Sequence, residues 1–154
     1  MTSGHEFPSP DPITDPGFDT APEAGAGDGN GPGSDSDPPP FILYLDGPAY
    51  AEALGLLAMW VHHLLLPVYG RETSSNAPWC PRWWLHPEAV AQLHGLWLAW
   101  QELTAPDAGL CGPANWHRDY LNPVLASLRD AAGPFAGCKP GSHRAKDVPT
   151  VEAF

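Results

Sequence analysis

The sequence predicts an all-α protein: a small domain of three to four helices capped by a Trp-rich loop, behind a disordered acidic tail. Three observations carry this. Apolar residues between positions 50 and 130 recur at steps of three and four, the spacing of one helix face. Prolines fall at helix starts and ends rather than inside alternating runs. The first 40 residues carry nine prolines, seven glycines and eight of the 18 acidic residues, without one Lys or Arg. Such a segment has little to bury and repels itself, so residues 1–40 are expected to stay disordered.

The tail holds most of the net charge of −11, and the remaining 114 residues are nearly balanced. That length suffices for one domain with its own core. Pro38-Pro39-Pro40 marks a stiff approach to it, and Phe41–Leu45 reads as a short extended segment. Asp46-Gly47-Pro48 has the grammar of a helix start, with a capping residue and then proline in the first turn. Leu54, Leu57, Val61 and Leu64 mark one face of this first helix, expected to run to about Leu66 and to end at Pro67 and Gly70. A loop from Arg71 to about Leu85 holds Trp79, Trp83 and Trp84. His86-Pro87-Glu88 opens a second helix, with Val90, Leu93, Trp97 and Trp100 as its stripe, ending near Thr104. Gly112-Pro113 begins a third. Asn122-Pro123 repeats the start signal, which predicts a kink or a fresh helix. The helical domain is thus placed at residues 41–138, with residues 139–154 as a frayed C-terminal tail.

Charge and composition exclude several functions. No cluster of Lys or Arg offers a footprint for nucleic acid; the densest basic stretch is Lys139, Arg144 and Lys146. The most apolar stretch, Ala53–Tyr69, is interrupted by His62 and His63 and falls short of the roughly 20 residues of a membrane span. The N-terminus lacks the basic start and apolar run of a secretory signal. Together with an odd count of three cysteines, these features predict a cytoplasmic protein with reduced thiols. Oligomeric state is not legible.

Three constellations could carry chemistry. Cys80 precedes His86 by six residues, Cys111 precedes His117 by six, and Cys138 lies beyond. Cys80, His86, His117 and Cys138 offer the four soft and borderline donors that structural zinc takes, although these spacings are wider than those of common zinc knuckles. The alternative is that the cysteines are small buried apolar groups and His86 caps a helix; on that balance no cofactor is expected. Cys80, His117 and Asp119 could together make a thiol-dependent catalytic site, but three cysteines and seven histidines allow such a set by chance. No nucleophile elbow, phosphate loop or HExxH motif is present. The third constellation is Trp79, Arg82, Trp83 and Trp84, in a proline-punctuated loop. Trp and Arg are the residues favoured at protein interfaces, and the bland alternative is a lid folded over the helices.

The segment Trp79-Cys-Pro-Arg-Trp-Trp-Leu-His-Pro-Glu-Ala-Val with Leu96-Trp-Leu-Ala-Trp, and the segment Trp116-His-Arg-Asp-Tyr-Leu-Asn-Pro with Gly133-Pro-Phe-Ala-Gly-Cys, resemble an actinobacterial family named for domain of unknown function 4913. The resemblance covers residues 41–138. This chain has Tyr120, Asn122 and Leu85 where the family pattern more usually has His, Asp and an acidic residue. The resemblance implies no established activity. It implies a setting on Streptomyces-type mobile elements, sometimes beside conjugation genes. The resulting expectation is a non-enzymatic module that contacts a protein partner through Trp79–Trp84. A zinc-stabilised domain is the main alternative and a cysteine-dependent enzyme the remote one.

Overall fold

The computed structural model describes residues 39–153; the expected disordered tail, apart from Pro39 and Pro40, lies outside the described residues. Among the described residues the architecture is all-helical, with no strand and only two isolated bridges, Ser74 to Ala77 and Lys139 to Ser142.

Chain entry differs from expectation. Phe41–Leu45 is not extended; Ile42–Tyr44 forms a 3-10 turn that buries Ile42. The Ile42 N–H donates to His94 Nδ1 at 3.4 Å, so the turn is held by a core contact that a five-residue window cannot reveal. Helix α1 then runs over Gly47–Tyr69. Asp46 sits at its N-cap position, but its side chain makes no capping bond. Gly47 takes a positive φ of 48°, so here the backbone rather than the carboxylate sets the entry. Helix α2 spans Pro87–Leu103. Helix α3 covers residues 112–128, built from Gly112–Asn115, Trp116–Leu121 and Asn122–Leu128.

Prolines do not end two of these helices where the sequence suggests. α1 continues past Pro67 to Tyr69, and α3 continues through Pro123 without a break. In both, a π-helical turn stands just before the proline: Val61–Leu65 and Trp116–Leu121. A proline within a helix lacks its N–H, and its ring crowds the carbonyl four residues back. One wider turn shifts the hydrogen-bond register and relieves that crowding. Gly70 then ends α1 with an extended backbone (ψ 133°).

α2 packs against both α1 and α3. α1 contributes Leu57, Trp60, Val61 and Leu65 to the core, and α2 contributes Ala89, Val90, Leu93 and Leu96. Trp116 of α3 is fully buried. Its ring centroid lies 4.7 Å from Trp100 and 6.4 Å from Trp60, and its Nε1–H donates to the Leu96 carbonyl at 3.2 Å. Trp97 and Trp100, expected as core, are half-buried and pack against this centre.

Candidate functional site

The loop between α1 and α2 is built on aromatic packing. Trp79 is half-buried against Phe135, with centroids 4.9 Å apart. Trp83–Leu85 form a 3-10 turn. Of the four residues expected to meet a partner, Trp83 is placed differently from expectation. It is only 1% exposed, and its Nε1–H donates to His62 Nε2 at 3.1 Å. The buried position gives the indole a fixed polar partner and makes Trp83 a core residue. Trp84 is 40% exposed, and Arg82 is exposed.

The same loop places Cys80, and the helix that follows places His86. His86 occupies the N-cap position of α2, yet makes no side-chain cap bond. Its imidazole turns inward instead, and its Nε2 lies 3.5 Å from the Cys138 sulfur. Beyond α3, Phe135 is buried at the centre of the next turn. The chain then reverses over Lys139–Ser142, each of which donates its N–H to the other's carbonyl, at 3.0 and 2.9 Å. Gly141 has a φ of 76°, a conformation that any side chain would strain. This reversal returns His143 to the cluster, where its Nδ1 lies 3.4 Å from the Cys80 sulfur. Residues 139–154 were set aside as a frayed tail on sequence. In the structure the first part of that segment folds back onto the domain, and Lys146 donates its Nζ–H to the Gly133 carbonyl.

Four donor residues thus meet: Cys80, His86, Cys138 and His143, with their ligand atoms all within 4.8 Å of one another. The first three were grouped on sequence, with His117 as the fourth. His117 stands elsewhere. Its Nδ1 lies 2.6 Å from the Pro113 carbonyl, so that nitrogen carries the proton, and Nε2 accepts from the Tyr69 hydroxyl at 2.7 Å. With Tyr69, Arg71 and Asn122 it lines a surface groove of about 280 Å3. Both of its ring nitrogens are committed, which explains why it cannot also serve the cysteines. Nor does a thiol triad assemble, because Cys80 is buried with His143 and Cys138, His117 is held by Tyr69, and Asp119 is paired with Arg118 at 2.7 Å. Cys111 is exposed and outside the cluster.

Sequence reasoning missed His143 because it lay beyond the assumed domain end. The signal was present: Cys138-x4-His143 repeats the order of Cys80-x5-His86.

The electrostatics of the cluster follow from burial. Desolvation pushes the Cys80 thiol up to about 11, with the backbone at Arg82 partly opposing it through a hydrogen bond to the sulfur. Burial also lowers the His86 imidazole, and the neighbouring His143 and Lys146 add to that. The histidine is therefore in the neutral form that coordinates metals, whereas thiols of this kind lose their protons when a cation arrives.

A small helical domain with a buried two-cysteine, two-histidine cluster is the class that fold and site define. The chain belongs to the family described as "Domain of unknown function (DUF4913)", whose model matches residues 55–153. That match extends past Cys138 and includes His143. No curated protein and no solved structure matches the chain.

Proposed function

We propose that this chain is a non-enzymatic interaction module whose docking surface is the open face of α1, and that the partner it fits is a second copy of itself. The observation that carries the reading is the state of that helix. Ala53–Tyr69 alone is short of a membrane span, but the helix starts at Gly47 and is by length and composition long enough for one. Yet only 22% of its most apolar window is buried in the domain. Leu57, Trp60, Val61 and Leu65 are in the core and tie the helix to the domain. Opposite them Leu56 is 54% exposed and Met59 60%. Leu56 and Met59, three residues apart, form an exposed apolar step on that face, the kind of surface a partner buries.

The chemistry of the face favours self-association. Glu52, Leu56, Met59 and His63 follow at steps of four, three and four, so they form one exposed stripe. In a two-fold contact between antiparallel helices, residue i meets j and j meets i. Centred between Leu57 and Ala58, such a contact sets Leu56 against Met59 and the Glu52 carboxylate against the His63 imidazole, on both sides at once. Gly55 has nothing within 4 Å of where a Cβ would lie, so it leaves room for close approach. Trp84 stands on the flank, its ring 6.4 Å from His62, where it would extend the contact. This reading is compatible with the accessory role on a mobile element that the family resemblance implies.

Sedimentation equilibrium of the full chain tests it. The wild type is expected as a concentration-dependent dimer. Met59→Glu, which sets like charges into the contact without touching the core, is expected as a monomer with unchanged helicity. A wild-type protein that stays monomeric at its highest soluble concentration sinks the proposal.

A further inference from the structure

The four donors form a centre that the sequence could only half assemble. We propose that Cys80, His86, Cys138 and His143 bind one zinc ion in a closed tetrahedral site, and that this ion fastens the C-terminal segment to the start of α2.

Geometry carries the proposal. Zinc binds thiolate sulfur at about 2.3 Å and imidazole nitrogen at about 2.0–2.1 Å, so a tetrahedral arrangement sets sulfur and nitrogen about 3.5 Å apart. The two sulfur–nitrogen pairs in the structure are 3.4 Å and 3.5 Å apart, and every pairwise separation lies below 4.8 Å. Two of the six donor separations thus match the edges of such a tetrahedron, and the other four fall within 4.8 Å. The four residues come from two stretches of chain, Cys80–His86 before α2 and Cys138–His143 after α3, which the fold brings together.

The surroundings fit a closed structural site. Cys80, His86 and Cys138 are buried and His143 is half-buried. The Arg144 N–H points at the Cys138 sulfur from 3.4 Å. A backbone donor aimed at a sulfur is the outer support that ligating thiolates use. Two thiolates and two neutral imidazoles select zinc over the hard cations, which prefer oxygen. Four protein donors leave no position for substrate or water, so the role is structural. Binding displaces two thiol protons, and the centre becomes neutral overall: the ion's two positive charges balance two thiolates.

The site is independent of the α1 face, so its failure and that of self-association are separate results. The test uses the full chain, purified reduced and stripped of metal, then titrated with Co2+ as a spectroscopic stand-in for zinc. One equivalent is expected to saturate. It should give the intense visible bands of tetrahedral cobalt together with a thiolate-to-cobalt charge-transfer band, and one equivalent of Zn2+ should abolish both. His117→Ala is expected to titrate like wild type, whereas His143→Ala should lose at least tenfold in affinity. His143→Cys guards against mere misfolding, since it should keep the tetrahedral bands and raise the charge-transfer intensity about 1.5-fold, three thiolates replacing two. Weak octahedral bands without charge transfer, or equal loss in the His117 and His143 variants, overturn the assignment.

Discussion

At the residue scale the two neighbouring tryptophans separate what packs from what is presented. Trp83 is enclosed, with a single polar partner on α1. Trp83→Ala should leave a cavity and strand the His62 nitrogen, costing about 3–5 kcal/mol. Trp84→Ala at the surface should move stability by less than about 0.5 kcal/mol while weakening self-association. Urea denaturation of both variants checks this, and a comparable cost for the two would contradict their different burial. His94 supplies a pH signature of its own. It is 1% exposed and accepts the Ile42 N–H in its neutral form, and burial holds its imidazole below the ordinary value of 6.5. The folded state therefore binds fewer protons than the unfolded state once pH drops. His94's stabilisation is fully present above pH about 6.5 and is lost as pH falls from there toward the lowered folded value. His94→Asn, which offers an acceptor where Nδ1 stood but does not titrate, should flatten the stability profile between pH 7 and 5. An unchanged slope would assign the effect to other groups.

At the element scale, sequence legibility followed the range of the forces. The periodic stripes of α1 and α2 were readable because burial of one helix face repeats every three to four residues. Pro87 at the first helical position made the start of α2 readable too. The prolines at 67 and 123 were misleading for an equally physical reason. Their local preference is to break a helix, but the packing of Leu65, Trp116 and Leu121 into the core keeps the helices continuous, and the π turns absorb the conflict. Such turns carry no composition signal. The Phe41–Leu45 segment failed likewise, since its conformation depends on His94, 52 residues away from Ile42. In the site, Cys80, His86 and Cys138 could be gathered by residue type alone. Choosing between His117 and His143 required knowing that the chain reverses at Gly141, and that Tyr69 and Pro113 occupy the His117 ring.

At the scale of the whole molecule, the segment after Cys138 closes the fold. It has almost no apolar side chains to bury; Val148 and Val151 are exposed. Its attachment therefore rests on polar contacts: the His143 donor beside Cys80, the Arg144 N–H at Cys138, and the Lys146 contact with Gly133. All lie within residues 143–146, so two truncations should behave differently. Ending the chain after residue 146 removes residues that, over the described 147–153, are all exposed, and it should leave the thermal midpoint within about a degree. Ending it after residue 138 uncovers Cys80 and His86 and deprives Cys138 of its backbone donor. Each buried polar group left without its partner costs about 1–3 kcal/mol, and several degrees of thermal midpoint should go with them. The longer truncation should also make the midpoint insensitive to a strong chelator, because a site short of His143 has no closed tetrahedron left to lose. Melting both truncated proteins and the full chain, with and without chelator, separates the contributions. If the chain ending at 138 melts with the full-length protein, the C-terminal segment is an appendage, and the fold is complete without it.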